Sequence, residues 1–562
     1  MSSDFIPTLL SNIWSIFLIV LFFGGSIFVH ELGHFLAARR RGLKVDRFSI
    51  GFGPALWKKR GKDGCEYRIS VLPLGGYVAL PQLADLSAVE GESQTDVSTL
   101  PPISYATKMI VFVAGVVFNV IFAFLLACVL WVIKQPINSS TLSTTIGYVA
   151  PTTIIEEPDG KKVTVASPAA EGGLRIDDKI ISIDGHPVRT WHDVTYSIIT
   201  GSGRNQEGIR ESTFIVEREG KQLTIVLRPR QIGDEQLRHV GIDSAYDVLV
   251  AEVPKESIAK EIGLNPEDRL LSIGGVPIKN DQTYFDILTE RCTETLPLVV
   301  SRNKAILTLS VPPRPNPIVA GIIRNSLAHQ LGIRTGDKIV AIEDHPISNS
   351  KEFMKLLIEK MPVSFKLTVE RDGKLIDFTV PARPDRTPVG IFQTQLLGES
   401  LSDEQLMWRI GPLEQCVNVV SESYRTLLSL LNPHTDIGLS NVSGPIEILR
   451  IYHIVSRTGI RNLIALTILV NLSLAIFNIL PIPILDGGQM VFATIVKLRN
   501  RPLSPNFVAS TTSVFLFLLL GMILYVSFFN VRRWSRDNGR SISEENIIRE
   551  SAPAEASAQS KP

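Results

Sequence analysis

Residues 27–41 read Ile27-Phe-Val-His30-Glu31-Leu-Gly-His34-Phe-Leu-Ala-Ala-Arg39-Arg40-Arg41. On a helix, His30 and His34 stand one turn apart on one face, so two imidazoles can converge on one zinc ion while Glu31 faces the water that reacts there. The run leading into them, residues 14–28, is apolar and carries no charge. A His pair of this spacing also arises by accident, at the interfacial end of an apolar helix. Ionisable side chains inside a membrane helix are costly and are normally kept for function, so we read a hydrolytic metal site within a membrane helix.

The rest of the composition sets bounds on this reading. The chain has 562 residues, 45% of them hydrophobic, which is enough for several membrane helices together with soluble domains. A formal net charge of +1 gives no support for nucleic-acid binding. Cys65, Cys128, Cys292 and Cys416 form no CxxC pair, so neither a disulfide framework nor a thiolate zinc site is expected. Residues 1–12 contain no Lys or Arg, so the first apolar run reads as a retained membrane helix rather than a cleaved signal. Arg39, Arg40, Arg41 and Lys44 place its end in the cytoplasm.

Beyond that helix, residues 44–80 hold Gly51-Phe-Gly-Pro54, the cations Lys58, Lys59, Arg60 and Lys62, and Tyr67-Arg-Ile-Ser-Val-Leu-Pro-Leu74-Gly75-Gly76-Tyr77. Alternation and turn residues there predict a membrane-side hairpin, either an ordinary cytoplasmic one or one whose edge pairs with an extended substrate. Residues 90–102 read as a loop, and residues 109–133 as a second membrane helix. Asn119 within it is either an interhelical packing group or part of the site.

From 147 to 391 the chain is polar, strand-rich and repetitive. Segments 167–187, 257–277 and 326–346 align without gaps, each with Ser, Ala, Gly, Asp, Ile and Pro at matching offsets. This predicts a short helix, a Gly-capped turn and an Asp-led turn into a strand, three times over, and resembles the PDZ fold in its permuted bacterial form. Strand addition by peptides is the usual chemistry of such modules, and the middle copy, short in its second half, reads as a spacer.

Apolar residues Leu413, Val417, Val420, Tyr424, Leu427 and Leu431 predict an amphipathic helix, lying on the outer membrane surface or on the PDZ-like units. A third membrane segment, 463–496, contains Asn478-Ile-Leu-Pro481-Ile-Pro483-Ile-Leu485-Asp486-Gly487-Gly488-Gln489. The prolines break the helix, and Asp486 in the break reads as the third metal ligand; capping of the resumed helix is the alternative. A fourth run, 507–529, follows Lys497, Arg499 and Arg501, which suit the cytoplasmic side; Arg532, Arg533, Arg536 and Arg540 beyond it disagree with four crossings.

Together, His30-Glu31-Leu-Gly-His34, residues 115–119, the PDZ-like repeats and residues 478–487 resemble the site-2 protease family of intramembrane zinc metalloproteases. Gly51-Phe-Gly-Pro54 and Leu74-Gly-Gly-Tyr77 match its bacterial RseP type. The resemblance implies that His30, His34 and Asp486 bind Zn2+, that Glu31 is the general base, and that Asn478, Tyr67, Leu74, Gly75 and Gly76 position substrate. It also implies transmembrane substrates such as anti-sigma factors or signal-peptide remnants, cut after another protease has acted. Peptide termini are then expected at the PDZ-like domains, on the periplasmic side of a bacterial inner membrane. Val116, Gln489 and the third PDZ-like copy depart from the usual pattern.

The expected fold is a polytopic α-helical membrane protein with four transmembrane helices and inserted α/β PDZ-like domains. Its divisions are a first membrane half (1–135), three PDZ-like domains (147–243, 244–313, 314–395), amphipathic membrane-proximal helices (396–445), a second membrane half (446–533) and a disordered tail (534–562). Two rival readings are a metal-free peptide-binding scaffold, which leaves Glu31 unexplained, and a zinc transporter, which leaves both Glu31 and the repeats unexplained.

Overall fold

The computed structural model describes residues 13–86, 100–156, 162–232, 236–255, 257–314, 316–323, 326–383, 391–394, 397, 399–438, 442, 444–545 and 547–548. The chain forms two compact units, one from residues 1–137 and 407–532, the other from 138–406 and 533–562. Most of the loop read at 90–102, and the tail from 549, lie outside the described residues.

Among the described residues, the first unit contains four helices long and apolar enough to cross a membrane: Ile13–Arg40, Tyr105–Ile133, Ile460–Ile479 and Pro505–Phe529. The first is broken by a π-turn at Val20–Gly24, one turn before the His30 segment. It meets the second helix closely at Gly33, where an added Cβ would stand 2.4 Å from the Ala114 carbonyl oxygen. Against the third it is pinned by Asn471, whose amide donates to Ser26 Oγ at 2.8 Å. The last helix runs on to Glu545, so the stretch expected to be disordered from 534 begins as helix; no proline interrupts residues 506–552.

The hairpin is a folded four-stranded sheet. Strands Arg47–Arg60 and Glu66–Ala79 are each used twice. Residues 47–50 pair with 76–79 on one side and with 66–69 on the other, and 66–69 pair in turn with 57–60. Gly51 and Gly53, at φ of 85° and 88°, make the bend that sends the first strand from the centre of the sheet to its outer edge. Phe48, Val78 and Leu80 on one face pack against Phe35 and Ala38 of the first helix.

The amphipathic segment forms the helix Pro412–Leu431. It sets small and polar residues inward, Ser423 Oγ lying 3.4 Å from Ser473 Oγ of the third helix. Leu413, Val417, Val420, Tyr424 and Leu431 are exposed instead. That is the orientation a lipid surround favours, since hydrocarbon gives no reason to bury leucine between helices.

In the second unit the repeated residues have one structural purpose. Ser167, Ser257 and Ser326 cap short helices, and Gly173, Gly263 and Gly332 stand beyond their ends at φ of 78°, 85° and 80°. The repeated Asp178, Asp268 and Asp337 are buried, and each accepts two hydrogen bonds from an arginine far along the chain. Arg218, Arg302 and Arg371 reach them at 2.6–2.7 Å and also donate to the carbonyl oxygens of Gly173, Gly263 and Gly332. Fork geometry that engages both carboxylate oxygens is what makes a buried carboxylate tolerable.

The middle domain is discontinuous. In the first domain the strand Ile242–Ser244 pairs with Ile146–Val149; in the third, Ile391–Thr394 pairs with Ile318–Ile323. The equivalent partner of Val248–Glu252 is Ser400–Asp403, which follows the third domain. Ala259 N donates to the Leu397 carbonyl just as Ala169 N donates to that of Val240, both at 2.9 Å. The third domain is therefore an insertion within the second, and the contiguous boundaries at 244–313 and 396–445 are corrected accordingly. The middle copy looked short because its last strand lies some 85 residues further on.

At that junction Glu399 occupies the position of Ile242 in the first domain. Its carboxylate accepts from Tyr284 Oη at 2.6 Å, and both residues are buried. Burial raises the Glu399 pKa above its ordinary value, with Tyr284 and nearby Arg314 opposing the shift.

Candidate metal centre

His30 and His34 face the second helix, whose backbone is bare there: an added Cβ at Gly115 would stand 2.4 Å from His34 Nε2 and 2.7 Å from His30 Cε1. His34 Nδ1 lies 2.8 Å from the Val111 carbonyl oxygen, an acceptor that fixes the proton on Nδ1 and leaves Nε2 with its lone pair. The other histidine has Asn119 3.2 Å from its Nδ1. Asn119 is fully buried and its Oδ1 has no partner as placed. Amide orientation is interchangeable, and with Oδ1 turned to the ring His30 Nδ1 donates to it.

Asp486 arrives from the third membrane segment. The helix Ile460–Ile479 ends, the chain turns through the Pro481 and Pro483 region, and a new helix, Asp486–Arg499, begins. Added Cβ atoms at Gly487 and Gly488 would stand 2.2 and 2.1 Å from the carbonyl oxygens of Ile479 and Ile482, so only glycine lets the turn fold this tightly. Gln489, in the place where histidine is usual, donates from Nε2 to the Pro483 carbonyl at 2.8 Å and ties the turn down. The Asp486 carboxylate makes no capping bond, and its Oδ2 is buried without a hydrogen-bond partner.

That orphaned oxygen points at the histidines. Oδ2 of Asp486 is 3.3 Å from His30 Nε2 and 3.4 Å from His34 Nε2, and the two nitrogens are 3.2 Å apart. Ligands at about 2.0–2.1 Å from a tetrahedral zinc stand roughly 3.3 Å from one another. The triangle therefore has the size of three corners of a zinc site, and all three of its residues line a cavity of about 190 Å³. Glu31, Asn478, Gly76, Tyr77 and Val78 line that cavity.

Of the residues expected to position substrate, Asn478 and Gly76 reach the cavity. An added Cβ at Gly76 would stand 2.9 Å from Glu31 Cγ. Gly75 precedes it on the strand, outside the lining, and the Leu74 side chain lies outside the described residues. Tyr67 is on an inner strand, its hydroxyl donating to Asp63 at 3.0 Å, away from the cavity. The chain doubles back within Glu66–Ala79, so the half with Tyr67 is internal and the half with Gly76 forms the edge. Tyr77, which closes the Leu74-Gly-Gly-Tyr77 match, does line the cavity. Val78 and the Val111 carbonyl were not singled out from sequence, because a carbonyl leaves no mark there and the doubled-back register is invisible to strand alternation.

A zinc-sized triad with a carboxylate beside it, set among membrane-length helices, defines a membrane-embedded zinc metalloprotease. Comparison with known proteins agrees. A model of peptidase family M50 matches residues 17–522, and the chain belongs to that family, the site-2 proteases. It is 26% identical over 534 residues to the regulator of sigma-E protease RseP of Escherichia coli, covering 92% of this chain and 99% of that one. A regulator of sigma E protease from Haemophilus influenzae is 25% identical over 528 residues, covering 92% and 99%. A putative zinc metalloprotease of Pasteurella multocida is 26% identical over 537 residues, covering 93% and 100%.

Proposed function

We propose that this zinc metalloprotease hydrolyses a peptide bond in or near the transmembrane segment of membrane-protein substrates, after another protease has removed their outer part. The convergence of His30, His34 and Asp486 on a cavity that also holds Glu31 and the edge of a sheet carries this reading. In it, His30 Nε2, His34 Nε2 and Asp486 Oδ2 hold zinc. When bound, zinc supplies Lewis-acid polarisation and water acidic enough to react near neutral pH.

The chain's own residues do the rest. Glu31 accepts a proton from the attacking water and delivers it to the leaving amide nitrogen, so no covalent intermediate with the protein forms. A helical substrate offers no free backbone, because its own hydrogen bonds satisfy it. Unwound, it pairs as an added strand along the edge at Gly76, while the Asn478 amide bonds one of its backbone groups. Val111 and Asn119 hold the imidazoles in the ligating tautomer.

The relatives are named as regulators of sigma E, and the resemblance to the RseP type makes anti-sigma factors the substrate class we propose. We place the protein in the inner membrane with its PDZ-like domains periplasmic, on the strength of Arg39, Arg40, Arg41, Lys497, Arg499 and Arg501 at the opposite ends of the helices. The first and third PDZ-like domains screen peptide termini; the middle one serves as the frame that carries the third.

The test compares wild type with Glu31→Gln in detergent, for zinc content and for cleavage of a transmembrane substrate. Equal zinc with cleavage by wild type alone supports Glu31 as base. Zinc in both with no cleavage by either favours a transporter, and no zinc in either favours a scaffold.

A further inference from the structure

The outer strand of the four-stranded sheet faces away from the metal centre. Its position can be gauged from the pairing ladder. Gly76, which touches Glu31, pairs with Ile50, Ile50 with Ile69, and Ile69 with Trp57, so Trp57 stands on the rung level with the metal site. At the other end of the sheet Arg60 pairs with Glu66, and Asp63 in the adjoining turn binds Arg39 at 3.1 Å. Glu31 and Arg39 are eight helical residues apart, about 12 Å. The outer strand thus climbs about 10 Å from Trp57 to Arg60, towards the basic end of the first helix.

Along that climb its character changes. Leu56 is 71% exposed and Trp57 50%, with Ile69 and Val71 exposed beside them. Lys58, Lys59, Arg60 and Lys62 follow. The carboxylates of the facing strand and the adjoining turn are engaged elsewhere: Glu66 takes both Arg47 and Arg68, and Asp63 takes Arg39. Among the described residues, none of those four cations has an ion pair, and the strand has no partner on its outer side.

We propose that this strand is a binding surface for anionic phospholipid, with Leu56 and Trp57 among the acyl chains and Lys58, Lys59, Arg60 and Lys62 on the headgroup phosphates. An apolar tip leading into unpaired cations over about 10 Å matches the step from acyl chain to headgroup. The open strand edge adds backbone N–H donors for phosphate oxygens, and a lysine-rich edge resists pairing with another chain. The surface lies one sheet-width from Gly76, so lipid held there fixes the sheet that carries the substrate-facing edge.

Full-length protein in neutral detergent, presented with equal phosphatidylglycerol and phosphatidylcholine, is read by native mass spectrometry for retained lipid. Wild type retains phosphatidylglycerol preferentially. Lys58→Gln, Lys59→Gln and Arg60→Gln lower the preference by roughly fivefold each, while Lys58→Arg and Lys59→Arg keep it; unchanged zinc content certifies the folding of every variant. Acyl-brominated phosphatidylglycerol quenches wild type more than Trp57→Tyr. Equal retention of the two lipids, or a preference that survives all three Gln substitutions, overturns the proposal. So does displacement by soluble glycerophosphoglycerol, which would mark a free-phosphate site, or by an acidic peptide, which would mark a protein-docking one.

Discussion

Replacing Gly115 by alanine tests the metal centre without touching any ligand. The new Cβ would stand 2.4 Å from His34 Nε2 and 2.7 Å from His30 Cε1. To reach an ordinary contact the imidazoles must retreat by roughly 1 Å, whereas zinc ligation tolerates about 0.2 Å. The second helix itself gains from the change, since alanine is the better helix former by about 0.5–1 kcal/mol, so a general loss of fold is not the expected outcome. Altering groups that merely orient a ligand already costs about 10–100-fold in metal affinity, and here the two imidazoles proposed as ligands are displaced directly. We expect zinc affinity to fall by at least about 100-fold, and cleavage with it, while the melting temperature of chelator-treated protein stays within a few degrees of wild type. The assay is zinc content after dialysis against graded chelator, with Gly115→Ser as a second variant carrying the same Cβ. Wild-type zinc affinity in Gly115→Ala would refute the close packing of the second helix on the imidazoles.

Tyr67→Phe removes a hydroxyl bonded only to the half-exposed Asp63, so it should cost about 0.5–1 kcal/mol of stability and leave kcat/KM unchanged; a large loss of kcat/KM would return Tyr67 to the substrate path. Arg302→Met strands the buried Asp268 and should destabilise the middle domain by about 3–5 kcal/mol, measured by hydrogen exchange of its strands, with exchange in the first domain unaltered. Glu399 has its pKa raised by burial, so the stability it contributes is full below the ordinary carboxylate pKa and is lost as pH rises through the folded value. Glu399→Gln keeps an acceptor for Tyr284 and cannot ionise, so its melting temperature relative to wild type should climb from acid to neutral pH; parallel curves would show that Glu399 does not titrate there.

Much of this protein was legible in one dimension because the informative features are local. The His30, Glu31 and His34 spacing follows from the helical period, four apolar runs follow from bilayer thickness, and each repeat announces its Ser cap, its left-handed Gly and its Asp by identity. What the sequence withheld are relations between distant residues. Arg218, Arg302 and Arg371 sit 34 to 40 residues from the aspartates they hold, outside the repeated segments. The strand that completes the middle domain lies beyond a whole inserted domain, and alternation marks a strand without naming its partner.

The same division runs through the site itself. Residue type and spacing determined which side chains could ligate zinc, since ligand chemistry belongs to the residue. Only the tertiary structure decided that 456 residues separate two points of one triangle, from His30 to Asp486, with edges of 3.2–3.4 Å. It alone decided, too, that Gly76 and not Tyr67 meets Glu31. Close packing of helices and the doubling-back of one strand are set by surfaces that become neighbours only on folding.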